Sequence, residues 1–170
     1  MRPTIPLGPW RIALNLSATR SIQNQAGQPA FGCTCRWCEN WSRVWETAFP
    51  TEIHDQLKRL CIDIAHPSDL YAFEEAPGGA YCRVIYHAAG KLLSGPVVWH
   101  EDPAIGKTLI YHPIEQTTST VGLAVIPCTQ TWQVHPKSEQ VSRSEILQVD
   151  FRLYVSLTER PTLGLQRDEA

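Results

Sequence analysis

Apolar and polar residues alternate most regularly near the end of the chain, between Ile146 and Leu157. The odd-numbered positions from 147 to 157 are apolar, and the even-numbered positions from 148 to 156 are polar. A period of two is typical of a β-strand with one face in the core and the other in water. Shorter strand-like runs, separated by Gly, Pro, Ser or Asp, are residues 80–88, 96–99, 107–114, 120–126 and 131–134. The second half of the chain is therefore predicted to form antiparallel β-structure.

The start of the chain has a different pattern. Prolines at positions 3, 6 and 9 disfavour a helix and predict extended structure over the first ten residues. Residues 10–16 then alternate roughly between apolar and polar, which predicts a short strand. The polar stretch from Ser17 to Pro29 predicts a loop that leads to a cluster of cysteines.

After Cys35 the hydrophobic period changes from two to between three and four. Apolar residues at positions 37, 41, 44, 45 and 48 share one helical face, so a helix is predicted that ends before Pro50. A second helix is predicted to start at Pro50 and Thr51, and its apolar stripe is Ile53, Leu57, Leu60 and Cys61. The segment from Glu74 to Gly79 predicts a turn-rich linker to the β-structure.

These patterns predict an α+β fold, with an N-terminal strand and a two-helix unit packed on a C-terminal antiparallel β-sheet or small sandwich. With 170 residues and 43% hydrophobic residues, the chain can bury a core of its own in a single domain. The parts expected within domain 1–170 are an extended segment and loop (1–30), a helical part with the cysteine cluster (31–75), a β part (80–158) and a frayed tail (161–170).

Charge and hydropathy exclude several classes of partner. The net charge is −2, and the 15 Lys and Arg residues are scattered, whereas nucleic-acid binders cluster positive charge. Binding to nucleic acid or to a membrane surface is therefore not expected. The first eleven residues lack the uninterrupted apolar segment of a signal peptide, and no later run reaches a membrane-spanning length. We expect a cytoplasmic protein whose partner is another protein or a second copy of itself.

Half of the six cysteines lie within six residues, at Cys33, Cys35 and Cys38. In the cytoplasm cysteines stay reduced, so a tight cluster favours metal binding over disulfide formation. The start of the predicted helix favours the thiolate form, which is the form that binds a metal. A structural zinc site needs four ligands, and the candidates for the fourth are Cys61, His54, His66 and Cys82. We assign Cys61 to this position.

The segment from Phe31 to Trp41 reads F-x-C-x-C-x-x-C-x-N-W. This motif resembles a cysteine signature, F-x-C-x-C-x-x-C-x-N-[FW], of small bacterial proteins of uncharacterised function. Two further segments, Cys61–Pro67 and Tyr86–Pro96, are similar to a turn and a later motif of those proteins. The resemblance implies a bacterial protein with a helical segment after the cysteines, and it implies neither a reaction nor a ligand.

Two other interpretations of the cysteines remain open. Cys35 and Cys38 form a C-x-x-C pair, which is the spacing of thiol-redox proteins. Alternatively, the cysteines are reduced residues that pack like small hydrophobic side chains and form no site. On this interpretation the isolated cysteines Cys61, Cys82 and Cys128 are expected to belong to the core.

A second place for chemistry is the segment Trp99-His100-Glu101-Asp102. In an extended chain His100 and Asp102 point the same way, so with His112 or His135 they match the ligand set of a non-haem iron oxygenase. The function predicted from the sequence is a binding or interaction domain with a structural zinc site. An enzyme, thiol-redox at the cysteines or iron-dependent at His100 and Asp102, is the alternative.

Overall fold

The computed structural model describes residues 2–23, 32–114, 120–131 and 136–158. Within these ranges the helices are α1 (Leu16–Gln23), α2 (Arg36–Ala48) and α3 (Thr51–Arg59). The strands are β1 (Thr4–Leu7), β2 (Trp10–Leu14), β3 (Asp69–Ala76), β4 (Gly79–Ser94), β5 (Trp99–Asp102), β6 (Gly106–Leu109), β7 (His112–Ile114), β8 (Val121–Pro127) and β9 (Ile146–Ser156). The predicted α+β class is confirmed, and so are the two helices on either side of Pro50.

Seven of the strands form one antiparallel sheet. Their order is β1-β2-β4-β9-β8-β7, and β3 also pairs with β4, while β5 and β6 form a separate hairpin. Strand β4 is 16 residues long. It pairs with β3 and β9 along its first part and with β2 through residues 90–94. The N-terminal strands are therefore part of the same sheet as the C-terminal ones.

One face of this sheet, which we call the helix face, carries Tyr86, Val149 and Phe151, and all three are buried. Phe49, the residue after α2, places its ring centroid 4.6 Å from that of Phe151. Trp41 of α2 is 1% exposed and belongs to the same cluster of buried side chains. The apolar stripe of α2 and the odd-numbered positions of β9 thus pack together and form the main hydrophobic core.

The opposite face, which we call the second face, carries Arg83, Gln148, Asp150 and Arg152. The prediction that the even-numbered side chains of β9 face water is wrong for Gln148 and Asp150, which are 1% and 0% exposed. Asp150 is buried because Arg83 forms an ion pair with it and the Tyr111 hydroxyl donates a hydrogen bond of 2.9 Å to it. A carboxylate can be buried when charged and polar partners replace water in this way. Arg152 is exposed, as predicted.

Residues 17–23, predicted as the first part of a loop, form most of helix α1 instead. The side-chain oxygen of Asn15 accepts a hydrogen bond of 3.1 Å from the backbone N–H of Ala18, which caps the start of this helix. Ala18 and Ile22, one turn apart, are buried in a second, smaller apolar cluster. The prediction was wrong because one cap and two apolar residues are a weak signal in a polar stretch. Residues 24–29 of the predicted loop lie outside the described residues.

The predicted linker at Glu74–Gly79 is also wrong, because β3 runs to Ala76 and pairs with β4 from Gly79. Pro77 and Gly78 form the two-residue turn between these strands, and Gly78 has φ +75°, which favours glycine. A Cβ atom on Gly79 would lie 2.2 Å from the carbonyl oxygen of Val155. The β part therefore begins at residue 69 and not at residue 80.

Other predicted strands differ in detail. The run 107–114 is divided between β6 and β7, and of the run 96–99 only Trp99 is in a strand. Thr131 is not in a strand, and residues 132–134 lie outside the described residues. None of the helices in the described part of the chain has the length and hydrophobicity of a membrane span.

Candidate metal centre

The start of α2 brings the three clustered cysteines together. Cys35 is the N-cap residue, with φ −68° and ψ 155°, and its sulfur accepts a hydrogen bond of 3.5 Å from the backbone N–H of Cys38. Gly32, at φ +75°, turns the chain just ahead of Cys33. The sulfur atoms of Cys33, Cys35 and Cys38 all lie within 4.8 Å of one another. Among the described residues, this is the group of metal-ligating side chains that the fold assembles.

The spacing of these sulfurs fits a thiolate-bound metal. Zn–S bonds of about 2.3 Å place the sulfurs of a tetrahedral site about 3.8 Å apart. The three sulfurs are within 4.8 Å of one another, so side-chain rotations that bring the sulfurs closer by roughly 1 Å complete the site without moving α2. Cys33 and Cys35 are exposed and Cys38 is half-buried, which leaves the site accessible to an ion from solvent.

The surroundings of Cys35 and Cys38 shift the pKa values of the two thiols in opposite directions. The hydrogen bond from the backbone N–H of Cys38 lowers the pKa of Cys35, because it stabilises the thiolate. Burial raises the pKa of Cys38 well above its ordinary value, and the neighbouring thiols Cys35 and Cys33 raise it further. In the absence of a metal, the cluster therefore contains an exposed, acidic thiol beside a half-buried thiol that holds its proton.

The first two turns of α2 are fixed to the sheet immediately after the cysteines. The Asn40 side chain donates a hydrogen bond of 2.8 Å to the carbonyl of Ser156 and accepts one of 2.9 Å from the N–H of Thr158. Trp41 donates from its indole nitrogen to the carbonyl of Ile64 at 3.1 Å. The cysteine cluster is therefore an exposed segment at the end of a helix whose position is well defined.

The fourth ligand assigned from the sequence, Cys61, is not part of the group of three sulfurs. Cys61 follows α3 in a left-handed conformation with φ +57°, and its assignment as a ligand stays a prediction. His54 stacks on Trp45 with ring centroids 5.8 Å apart, and Nδ1 of His66 lies 2.8 Å from the carboxylate of Asp63.

Two of the three isolated cysteines, Cys82 and Cys128, are core residues as predicted, whereas Cys61 is half-buried. Cys82 and Cys128 are both 0% exposed, and burial raises the pKa of Cys82 to about 11 and that of Cys128 to about 12. At neutral pH both thiols keep their protons, so neither supplies a thiolate to a metal site on the surface.

The segment proposed for iron has another role in the structure. Asp102 ends β5, and its carboxylate accepts hydrogen bonds from the N–H groups of Ala104 at 2.7 Å and Ile105 at 3.2 Å. These bonds stabilise the turn between β5 and β6. Within the described residues His100, Asp102 and His112 do not form a metal-ligating group. His135 lies outside the described residues, so the iron site stays a prediction.

A buried polar cluster on the second face was not found from the sequence. Asp150 lies at its centre and binds Arg83, the hydroxyl of Tyr111 and, at 2.7 Å, the side-chain N–H of Gln148. Asp150 offsets the effect of burial on Arg83, whose pKa is raised, and burial beside Asp150 raises the pKa of Tyr111 above its ordinary value. The available signal was a pair of opposite charges, Arg83 and Asp150, each within a strand-like run.

Comparisons of this chain with protein-family models, with curated proteins and with solved structures found no match. The functional argument therefore depends on the geometry of the chain itself.

Proposed function

We propose that Cys33, Cys35 and Cys38 bind a zinc ion that fastens the segment ahead of α2 to the helix. The observation that carries this proposal is the convergence of three sulfur atoms within 4.8 Å. Three converging thiols match the cysteine part of a zinc site with three cysteines and one histidine, or with four cysteines. The surrounding α+β domain is on this proposal a binding or interaction module for a protein or for a second copy of the chain.

Zinc is the metal that we propose because thiolate ligands favour soft or borderline ions, and zinc accepts a tetrahedral set without redox chemistry. The fourth position belongs to Cys61, as assigned from the sequence, or to a group from a partner. A zinc ion bound mainly by thiolates requires a reducing compartment, which agrees with the expected cytoplasmic location. On the same proposal the chain is a bacterial protein, because residues 31–41 resemble the signature of small bacterial proteins.

The first experiment is the substitution Cys35→Ser, followed by elemental analysis and thermal unfolding. We expect the wild-type protein to hold close to one zinc per chain and the variant to hold none. A ligand at 100 times its Kd stabilises a fold by about 2.7 kcal/mol, so the Tm of the variant should fall by roughly 5–10 °C for a chain of this size. Thr34→Ala is the matched control, because Thr34 is exposed in the same segment and offers no thiol.

A strong chelator added to the wild-type protein should release the zinc, lower the Tm to that of Cys35→Ser and make the cluster thiols reactive, Cys35 faster than Cys38. Unchanged metal content and unchanged Tm in Cys35→Ser would contradict the proposal. Cys61→Ser distinguishes the two candidates for the fourth ligand. The zinc affinity should fall if Cys61 is the ligand and stay the same if a partner supplies the ligand.

Thiol-disulfide exchange is a second candidate function, supported by the asymmetry between Cys35 and Cys38. The Cys35 thiolate would attack a disulfide of a partner and release one of its sulfurs as a thiolate. This step leaves a mixed disulfide between Cys35 and the second partner sulfur. The Cys38 thiolate, formed on losing its proton to solvent, would then attack the Cys35 sulfur and release the second partner sulfur. The partner would leave as a dithiol, and Cys35 and Cys38 would remain as a disulfide. An added dithiol reductant would regenerate the pair.

The reactivity of Cys35 tests this second function. Because its pKa is lowered, the rate of alkylation of Cys35 by iodoacetamide in metal-free protein should rise with pH and reach half its maximum below the ordinary thiol pKa of about 8.5. Site-resolved mass spectrometry measures this rate for each cysteine. Cys33→Ser distinguishes the two functions, since it should abolish tight zinc binding but leave exchange at Cys35 and Cys38 intact. A midpoint at or above the ordinary pKa would contradict the redox function.

A further inference from the structure

A cavity of about 240 Å³ lies on the second face of the sheet, under the β5–β6 hairpin. The hairpin contributes Trp99, Lys107 and Leu109, which register places on the same side of the two strands. The remaining lining side chains come from the sheet and from the segments beside it: Arg83, Tyr111, Ile126, Thr131, Gln148 and Arg152. The cavity is separate from the cysteine cluster and contains none of its residues.

The most informative group in this cavity is the side chain of Gln148, which is 1% exposed. Its Nε2 donates to the Asp150 carboxylate at 2.7 Å, and a carboxylate only accepts, so the other amide atom is an oxygen acceptor. Within the described residues this buried Oε1 has no hydrogen-bond partner. An unpartnered buried acceptor costs about 1–3 kcal/mol. Gln148 therefore offers an acceptor to any ligand in the cavity that carries an N–H or O–H group.

The charge around the cavity is positive. Arg83, Lys107 and Arg152 line it, and Asp150 is the carboxylate that Arg83 binds. Arg83 lies directly opposite Arg152 in the pairing of β4 with β9, so two guanidinium groups are adjacent and Asp150 forms its ion pair with Arg83. Within the described residues neither Lys107 nor Arg152 forms an ion pair, although Glu101 lies opposite Lys107 in the hairpin. Two exposed cations are therefore available to an anion.

Aromatic rings hold these two cations in place. The ammonium of Lys107 lies 4.8 Å from the ring centroid of Trp99, and the guanidinium of Arg152 lies 4.3 Å from that of Tyr111. Each contact fixes a long side chain that would otherwise lose more entropy on binding. Apolar surface from Leu109 and from the rings completes the lining. A ligand that fits this set has an apolar or aromatic body, one negative charge and one hydrogen-bond donor.

From this arrangement we infer that the cavity binds a small aromatic carboxylate that also carries an N–H or O–H donor. The carboxylate pairs with Lys107 and Arg152, the ring lies between Trp99 and Tyr111, and the donor reaches Oε1 of Gln148. A single negative charge is favoured over two because Asp150 lies directly behind the cavity. A volume of 240 Å³ accommodates a monocyclic ligand. This binding activity goes beyond the proposed zinc site and does not depend on it.

The test is an NMR titration of the full chain with 4-hydroxybenzoate, monitored at the side-chain signals of Trp99 and Gln148. Saturable binding with a Kd of about 1 mM or below is expected for a fragment of this size. Benzoate, which lacks the donor, and 4-hydroxybenzamide, which lacks the charge, should each bind at least about fivefold more weakly. Inorganic phosphate should compete poorly, since it has no aromatic body.

Three substitutions locate the binding. Lys107→Gln and Arg152→Gln change exposed side chains, so both variants should fold, and each should weaken 4-hydroxybenzoate binding about fivefold to tenfold. Lys58→Gln is the matched control, because Lys58 is an exposed lysine of α3 that does not line the cavity, and it should leave the Kd unchanged. Gln148→Met removes the acceptor and should abolish the preference for 4-hydroxybenzoate over benzoate.

Several results would overturn the inference. It fails if none of the carboxylates saturates the shifts of Trp99 and Gln148, or if the neutral amide binds as tightly as the carboxylate. Equal affinity in wild-type protein, Lys107→Gln and Arg152→Gln would place the binding elsewhere. Tighter binding of inorganic phosphate than of 4-hydroxybenzoate would show that the cavity takes a bare anion and not an aromatic carboxylate.

Discussion

The substitution Asp150→Asn is expected to lower the free energy of unfolding by about 3–5 kcal/mol. Asp150 is 0% exposed, and its carboxylate binds Arg83, Tyr111 and Gln148. The neutral amide keeps the shape of the carboxylate but leaves the Arg83 guanidinium, whose side chain is 18% exposed, without its compensating charge. Urea denaturation followed by tryptophan fluorescence measures the change, with the m-value checking that unfolding stays two-state.

Two further variants show whether the loss comes from the unpaired charge. Glu74→Gln also replaces one strand carboxylate by its amide, but Glu74 is exposed, so its unfolding free energy should change by no more than about 0.5 kcal/mol. The double variant Arg83→Met, Asp150→Leu removes both charges and should recover much of the stability that Asp150→Asn loses. If Asp150→Asn were as stable as Glu74→Gln, the buried ion pair would not have the role that the structure gives it.

The substitution Trp41→Ala should have a comparable effect for a different reason. Trp41 is 1% exposed and packs its ring edge-on against Phe49 at 5.8 Å, so alanine leaves a large cavity in the main core. Core substitutions of this size cost about 3–5 kcal/mol. The carbonyl of Ile64 loses the Trp41 hydrogen bond but keeps that of the Tyr86 hydroxyl at 2.8 Å, so the loss should come from packing.

Calorimetric Tm values of three variants test this explanation. Trp41→Phe keeps part of the ring contact and should cost clearly less than Trp41→Ala. Trp37→Ala removes the same residue type from the same helix, but Trp37 is only half-buried, so its cost should also be smaller. If the Trp41→Ala and Trp37→Ala proteins had the same Tm, α2 would not be packed on the helix face as described.

Local signals explain which parts of the fold could be predicted. Helices α2 and α3 were found because their apolar stripes and the proline between them lie within about two dozen consecutive residues. The Pro77-Gly78 turn was interpreted as a linker because the same dipeptide serves in linkers and in hairpins, and the polar pair before it hid the end of β3. The deciding fact is the pairing of β3 with β4, which depends on the sheet as a whole.

Distance along the sequence also explains what could be predicted of the sites. The cysteine cluster was found because its three sulfurs come from six consecutive residues at one helix start. Two partners of Asp150 are distant in the sequence, Arg83 by 67 residues and Tyr111 by 39, so the alternation in β9 predicted that Asp150 faces water. The fourth metal ligand is difficult to predict from the sequence for the same reason, since only a distant residue or a partner can supply it.

The separation of the β5–β6 hairpin from the seven-stranded sheet affects how a ligand reaches the cavity. Gln148, on the sheet side, belongs to β9, whose backbone hydrogen bonds to β4 and β8 break only when the whole sheet unfolds. Trp99 and Lys107 belong to a hairpin whose two strands form a sheet of their own with four residue pairs, and Trp99 and Leu109 also pack against the main core. Opening the hairpin breaks fewer hydrogen bonds than opening the seven-stranded sheet, so it should cost less free energy. Exchange of a ligand can therefore proceed through opening of one wall while the acceptor and the buried ion pair beneath it stay in place.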